Sequence, residues 1–240
     1  MNFYQNLKNV SLLKTMKLPI LCLALAVTYS SCSDDDNPMP NPDTAIVSVY
    51  HASPSTDSLD FYLDAKKVNS KLVGLGDSIN YVEAFIGDRV AEIKGKDGAS
   101  IFKESIKLEK DKAYSLFITN EKDKDDAEYV QITDDLTNPA EGKAKIRFVH
   151  VSPDAGKLNL AVTGGEDLFT DKEFKSATEF KEITAEKQSF EVVDQESNAV
   201  LFTLEDVDIK AGKIYTIWVK GLKDTEDDAL KIEAMVYNNK

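Results

Sequence analysis

Two short segments of the chain place a histidine two residues before a serine. They are His51-Ala52-Ser53-Pro54 and His150-Val151-Ser152-Pro153. Alternate residues of a strand project to the same face, so each pair could act as the base and nucleophile of a hydrolase. A hydrolase also needs an orienting acid and an oxyanion hole, and the chain contains no Gly-x-Ser-x-Gly turn to supply them. We therefore predict that both histidines are structural, with rings that face the core and bond to nearby backbone.

Two acidic loops occupy equivalent places in the chain and are the candidates for a metal site. Asp123 and Asp125 lie in one loop, and Asp224 and Asp227 lie in the other. Carboxylates at alternate positions can ligate Ca²⁺, but the central glycine and the terminal glutamate of an EF-hand are missing. A solvated hairpin loop is therefore the main expectation, with a Ca²⁺ site as the alternative. The chain has only two cysteines and two histidines, too few for a zinc cluster, and we expect no cofactor.

Three aromatic residues lie at polar positions of their strands and are the candidates for binding. Trp218 and its counterpart Phe117 have hydroxyl-bearing or charged neighbours, and Tyr62 stands between two aspartates. An exposed ring flanked by hydrogen-bonding side chains can stack on a sugar ring or on the apolar surface of a partner. The alternative is that these rings pack between two halves of the molecule or under a crossing loop.

The residues around both histidines belong to an internal repeat. Residues 47–54 align with 146–153 at an offset of 99 positions, and 59–63 align with 158–162 at the same offset. After two inserted residues, 112–118 align with 213–219. Colinear blocks at almost constant spacing predict two copies of one unit, and each copy is long enough to bury a core of its own.

Within each copy, apolar and polar residues alternate with the period of a β-strand. Val47, Val49 and His51 share one face of the first strand, for example. Gly- and Asp-containing clusters separate such segments, and residues 133–142 interrupt any strand pattern. We predict an all-β chain with two tandem antiparallel β-sandwich domains, at 45–138 and 139–240. The strand pattern is least clear at 166–182, which could equally form a short amphipathic helix.

The first 31 residues have the pattern of a signal peptide. Lysines precede an apolar run at 18–27, which as a helix would rise about 15 Å, half the thickness of a hydrocarbon core. Met1 or Met16 could be the start. The run and the small residues that follow it resemble a bacterial lipoprotein signal, although Tyr29 stands where that pattern has an aliphatic residue. The resemblance implies that Cys32 is acylated and becomes the new N-terminus.

Residues 32–44 are predicted to be a flexible linker that is first acidic and then proline-rich. Ser33, Asp34, Asp35 and Asp36 resemble the tag that sends some lipoproteins of Gram-negative bacteria to the outer face of the outer membrane. Two or more acyl chains hold a soluble domain firmly on a bilayer. The alternative is simple secretion, with Cys32 as a free thiol.

The His-x-Ser-Pro segment at the end of a first strand, followed by a second strand and later by an aromatic-rich strand, resembles a domain-of-unknown-function family, number 4397. The resemblance covers residues 45–133 and 144–237. It is clearest at six residues, His51, Ser53, Pro54, His150, Ser152 and Pro153. The resemblance implies immunoglobulin-like β-sandwiches in tandem, located outside the cytoplasm, and it implies no reaction.

The formal net charge is −13, from 29 basic and 42 acidic residues. A phosphate backbone repels such a chain, and no basic patch is present, so nucleic acid is not an expected partner. We predict a non-enzymatic, surface-exposed lipoprotein of the outer membrane that binds an unknown extracellular protein or glycan. Its contact with the membrane would be the lipid anchor alone. The alternatives are an accessory or hydrolytic component of an extracellular polysaccharide-uptake system and a purely structural spacer.

Overall fold

The computed structural model describes residues 43–124 and 126–240, which contain eighteen strands and one turn of 3-10 helix. The predicted signal peptide and nearly all of the predicted linker lie outside this part of the chain. The prediction of an all-β sandwich fold is confirmed. Within the described ranges, no helix is both long and apolar enough to cross a bilayer.

The first half of the described chain contains nine strands. They are β1 (Thr44–His51), β2 (Ser58–Leu63), β3 (Lys66–Lys67), β4 (Val73–Gly74), β5 (Ser78–Phe85), β6 (Gly87–Gly95), β7 (Ser100–Leu108), β8 (Ala113–Asn120) and β9 (Ala127–Asp134). One sheet has the order β5-β1-β8-β9, and the other has the order β3-β2-β6-β7, with β4 also paired to β2.

The second half also contains nine strands. They are β10 (Lys143–His150), β11 (Leu158–Val162), β12 (Asp167–Lys172), β13 (Ser176–Ala177), β14 (Lys181–Thr184), β15 (Lys187–Asp194), β16 (Val200–Asp208), β17 (Ile214–Lys220) and β18 (Glu233–Asn238). Its sheets have the orders β13-β10-β17-β18, with β14 also on β10, and β12-β11-β15-β16. The aligned blocks of the sequence fall on strands at equivalent places in the two halves. The 166–182 stretch forms β12, β13 and part of β14 rather than a helix.

Each half contains one parallel strand pair, which the prediction of antiparallel sheets missed. β1 runs parallel to β8, and β10 runs parallel to β17. The other named strand pairs are antiparallel. A parallel pair requires a long crossover, and here the crossover passes through the other sheet of the same half, which closes the sandwich.

Three separate apolar clusters are buried within the described part of the chain. One fills the first half, around Val47, Phe61 and Leu116, and one fills the second half, around Phe148, Phe190 and Ile217. The third lies between the halves and contains Tyr50, Ala52, Phe117, Val149, Val151 and Trp218. The β1 sheet and the β10 sheet therefore face each other, and we call them the inner sheets. Every residue of β8 and of β17 is buried, because each strand is covered by its own outer sheet and by the opposite inner sheet.

The two ends of the fold contain different parts of the chain. At one end, which we call the base, the chain enters at β1, and the carbonyl of Thr44 accepts a hydrogen bond from the N–H of Asp111. The C-terminal residue also lies there, with the Lys240 ammonium 3.1 Å from the carbonyl oxygen of Leu136. At the other end, the apex, β1, β8, β10 and β17 finish, and the loops that follow them meet.

Candidate functional site

His51 and His150 end β1 and β10, and both are fully buried. Nδ1 of His51 accepts from the N–H of Ser53 at 3.3 Å, and Nε2 donates to the carbonyl of Thr56 at 3.0 Å. His150 makes the equivalent bonds, with the N–H of Ser152 at 3.3 Å and the carbonyl of Gly156 at 2.7 Å. Each ring is thus a neutral imidazole that closes the turn after its strand. Burial lowers the pKa of both histidines to about 4.

The serines of the two segments are bonded elsewhere. Ser53 Oγ donates to Oδ1 of Asn120 at 2.8 Å, and Ser152 Oγ donates to the carbonyl of Gly221 at 2.7 Å. Because both ring nitrogens of each histidine bond to backbone atoms, neither histidine is placed to take a proton from its serine. The segments instead join the loop after β1 to the last residue of β8, and the loop after β10 to the residue that follows β17.

These fixed turns from the two halves meet in one groove at the apex. Its volume is about 450 Å³, and its lining includes Pro54, Pro153, Asp123, Asp224 and Lys122. The groove combines both His-x-Ser-Pro turns, which we call the signature turns, with both acidic loops. The two halves therefore contribute equivalent residues to one surface.

The acidic loops are held by hydrogen bonds within the protein. The Asp154 carboxylate accepts from the backbone N–H groups of Lys223 and Asp224, at 2.7 and 3.0 Å. Asp227 accepts from the N–H of Ala229 at 3.0 Å and so caps the 3-10 turn Asp228–Leu230. Across residues 43–124 and 126–240, no three histidine, cysteine or acidic side chains come together as metal ligands. Asp125 lies outside the described residues.

Trp218 and Phe117 are not exposed, so the prediction that they form an outward binding surface is wrong for these two residues. The rings of Tyr50 and Phe117 stack with centroids 4.3 Å apart, and Trp218 packs edge-on at 5.6 Å from Phe117. All three are buried between the inner sheets. Strand alternation placed these rings on the polar face correctly, but that face is covered by the other half.

Tyr62 lies far from this cluster, on the outer sheet of the first half. Its side chain is half-buried, and the Lys94 ammonium sits 4.7 Å from the ring centroid. One face of the ring is therefore already used in a cation–π contact. The three predicted aromatic residues do not form one patch.

A buried ion pair between the halves was missed by the sequence analysis. The side chain of Arg147 on β10 is 1% exposed, and its guanidinium lies 2.5 Å from the carboxylate of Asp134 on β9. It also donates to Ser115 Oγ and Thr216 Oγ1, each at 2.8 Å. The ring of Phe180 lies 4.7 Å from the guanidinium carbon. The position aligned with Arg147 in the first copy is Ser48, so a charge inside a strand block was the available signal.

The hydrogen bonds of this pair extend into a network that crosses between the halves at Arg147 and again at Asn239. Oδ2 of Asp134 accepts from Tyr81 at 2.6 Å and from Ser115 at 2.7 Å. The Tyr81 hydroxyl in turn accepts from Nδ2 of Asn239 at 3.0 Å, and Oδ1 of Asn239 accepts from Thr216 at 2.7 Å. Burial is the main cause that raises the pKa of Tyr81. Every member of the network has a partner, which fixes how the two inner sheets are aligned.

The stretch of sequence with these features can be compared with known families. Residues 45–161 match the family model described as Domain of unknown function (DUF4397). The DUF4397 match covers the first half, the crossing segment and both His-x-Ser-Pro turns. It ends within β11, so most of the second half lies beyond it. Among curated proteins, none matches this chain.

Twelve chains of known structure also match. One is the C-terminal domain of AlgF from P. aeruginosa, which is 21% identical over 41% of this chain and 99% of that domain, with a TM-score of 0.31. The predicted lipidation site Cys32 and the predicted export tag Ser33, Asp34, Asp35 and Asp36 lie outside both the DUF4397 match and the described residues.

Proposed function

We propose that this protein is a non-enzymatic lipoprotein of the outer membrane, exposed at the cell surface, that presents a rigid binding surface at the apex of its fold. The observation that carries the proposal is that the chain enters the fold at the base, whereas the signature turns of both halves meet in the groove at the apex. β1 alone has eight residues, a span of roughly 26 Å at 3.3 Å per residue.

The buried network gives this display its rigidity. Arg147, Ser115 and Thr216 hold the inner sheets in one alignment, so the apex groove does not have to be assembled when a ligand arrives. A preformed site loses less conformational entropy on binding than two freely moving domains would. Two domains without such a network between them would move freely and would serve mainly as a spacer.

A binding role is supported over hydrolysis by how the candidate catalytic residues are used. His51 and His150 both bond to backbone through each ring nitrogen, and their pKa values of about 4 make them neutral at physiological pH. The serines donate to Asn120 and Gly221. Hydrolysis would therefore need a different base, and Asp154 of the apex groove is already bonded to the backbone N–H groups of Lys223 and Asp224.

The anchor is tested by expressing the full chain and its Cys32→Ser variant in a Gram-negative host with an alkyne-labelled fatty acid. We expect the wild-type chain to carry the label, to sediment with outer membranes and to be cut by protease added to intact cells. The Cys32→Ser variant should lose the label and the membrane association. Replacing Asp34, Asp35 and Asp36 with alanine should keep the label but abolish cleavage on intact cells. Unlabelled wild-type protein in the cytosol would contradict the proposal.

A further inference from the structure

The inner sheet of the first half ends in a long edge strand. β5 has eight residues and pairs with β1 on one side. On its other side, none of the described residues forms a strand against it. The equivalent edge of the second half is split into β13 and β14, of two and four residues. A continuous edge of this length is a template for an added strand.

An apolar groove runs beside β5. It consists of two cavities of about 630 and 590 Å³ that share Val68 and so lie end to end. Leu63, Val82 and Ala84 line the cavity nearer the base. Ile79 of β5 and Met235 of β18 line the cavity nearer the apex. The cavity nearer the base is lined by the first half alone, whereas the second half also contributes to the cavity nearer the apex.

The two halves differ in what covers this side of the sandwich. In the second half, the six-residue β12 lies there, and its Leu168 and Phe169 pack on the core. In the first half, the corresponding β3 has two residues. Leu72 and Phe85, at the two ends of the groove, remain 48% and 57% exposed. The first half thus leaves apolar surface open where the second half covers it.

The backbone of β5 is oriented to bond a ligand strand. The N–H of Ile86 donates to the carbonyl of Asp43, which points residue 86 toward β1. Because N–H and C=O groups alternate sides along a strand, Glu83 and Phe85 direct theirs away from β1 and into the groove. On the β1 side, the paired residues Ile46 and Thr44 bond toward β8 instead, as this alternation requires.

We propose that the β5 edge binds an extended strand of another protein, with apolar side chains entering the groove and uncharged side chains on its other face. This proposal goes beyond the function proposed above, because the β5 edge is a second surface, separate from the apex groove. The groove continues the apolar contact between the halves, because Met235 also packs on the buried cluster between the inner sheets. A strand seated there would extend an interface that already excludes water.

The charges of the groove favour an uncharged strand from a different protein. Three lysines of the groove, Lys66, Lys67 and Lys71, are balanced by three acids, Asp64, Asp77 and Glu83. The whole chain has a net charge of −13, so a second copy would be repelled on approach. The formal charges of the groove cancel, so an uncharged strand of another protein is not repelled as a second copy would be.

The probe is a capped, fluorescein-labelled ten-residue peptide that alternates valine and threonine, added to the full chain and followed by fluorescence anisotropy. We expect saturable binding and slowed hydrogen exchange at the amides of Glu83 and Phe85. The same peptide with alternate amides N-methylated should not bind. Phe85→Glu and Glu83→Pro should each weaken binding at least tenfold. Val200→Glu is the matched control, because Val200 is 50% exposed on the second half, and it should bind as the wild type does.

Several results would overturn the proposal. One is that the peptide does not bind, and another is that the Val200→Glu control loses as much peptide binding as Phe85→Glu does. A third is that the β5 amides are already protected from hydrogen exchange without peptide, which would show that the chain itself covers the edge. Self-association that Phe85→Glu abolishes would make a second copy the occupant. Melting temperatures of all variants establish that they are folded. Exposure at the cell surface is measured separately, by protease cleavage on intact cells. If the protein is not cleaved there, the proposed function is refuted, but the proposal that β5 binds a strand is not affected.

Discussion

At the scale of single residues, the two histidines show how one sequence signature can stabilise two equivalent turns. Each ring accepts from a serine N–H and donates to a carbonyl, so only the neutral imidazole fits both bonds. Protonation would add a hydrogen to Nδ1, where it would oppose the serine N–H. The unfolded chain lacks this constraint and takes up protons at the ordinary histidine pKa of about 6.5.

We predict that the protein loses stability between pH 6.5 and pH 4. The pKa of His51 and of His150 is about 4 in the folded state, so over this range the unfolded state binds more protons and is favoured as the pH falls. The loss approaches about 3 kcal/mol for each histidine and levels off below pH 4. Urea unfolding at pH 7.5, 5.5 and 4 measures it. The His51→Gln/His150→Gln variant should be less stable at pH 7.5 and should lack most of this slope; an unchanged slope would assign it to other groups.

Arg147 and Asp134 form a second residue-level test. We predict that Arg147→Met lowers the free energy of unfolding by about 3–5 kcal/mol, because it leaves a buried carboxylate without its countercharge. The double variant Arg147→Met/Asp134→Leu should recover part of that loss. Lys96→Met, which removes an exposed pair with Asp57, serves as the control and should leave the urea midpoint unchanged. A double variant less stable than Arg147→Met alone would contradict this account.

At the scale of strands, alternation in the sequence predicted which residues face each core but not what lies on the other face. Val47 and Val49 alternate with Ser48 and Tyr50, and the valines are buried in the first half as expected. The opposite face looked like a solvent-exposed face, because it carries Ser48, Ser115 and Thr216. Hydroxyl side chains suit water and a hydrogen-bonded interface equally well, so period two alone cannot separate the two cases.

The sequence did not predict the Arg147–Asp134 ion pair for the same reason: strand alternation does not show what packs on the second face of a sheet. Arg147 and Asp134 are close only because the inner sheets pack face to face, and nothing local in either strand encodes that contact. The covering strand β12 was uncertain for a related reason, since Leu168 and Phe169 fit the spacing of a helix as well as that of a strand. Its pairing with β11 decided between the two.

The loop after β17 provides a test at this scale. Gly221 has a φ of +80°, and an added Cβ would lie 2.4 Å from the carbonyl oxygen of Lys231 and 2.6 Å from that of Leu230. We predict that Gly221→Ala lowers the free energy of unfolding by clearly more than Gly212→Ala does. Gly212 has a φ of +78° with open space around it, so its substitution costs only the left-handed backbone, about 1–2 kcal/mol. Equal losses in urea unfolding would show that the loop moves aside freely.

At the scale of the whole molecule, the two halves have separate cores but share buried polar groups. Asp134 and Tyr81 of the first half need Arg147 and Asn239 of the second, and the Thr119 hydroxyl donates to the carbonyl of Val151 at 3.1 Å. Separating the halves would expose the third apolar cluster and leave these groups to water. The interface is therefore part of the fold of each half rather than a contact added afterwards.

We predict that the halves unfold together, in one transition. Trp218 is the single tryptophan of the chain and lies between the inner sheets, so its fluorescence reports separation of the halves, whereas far-UV circular dichroism reports loss of strands. Both signals should change at the same urea concentration. Moving the probe to the outer sheet with Trp218→Phe/Tyr62→Trp should again give coincident transitions, at a midpoint lowered by the smaller ring at the interface. A fluorescence change that precedes the dichroism change would mean that the halves separate before either unfolds, and the alignment of the apex groove would then not be fixed by the network.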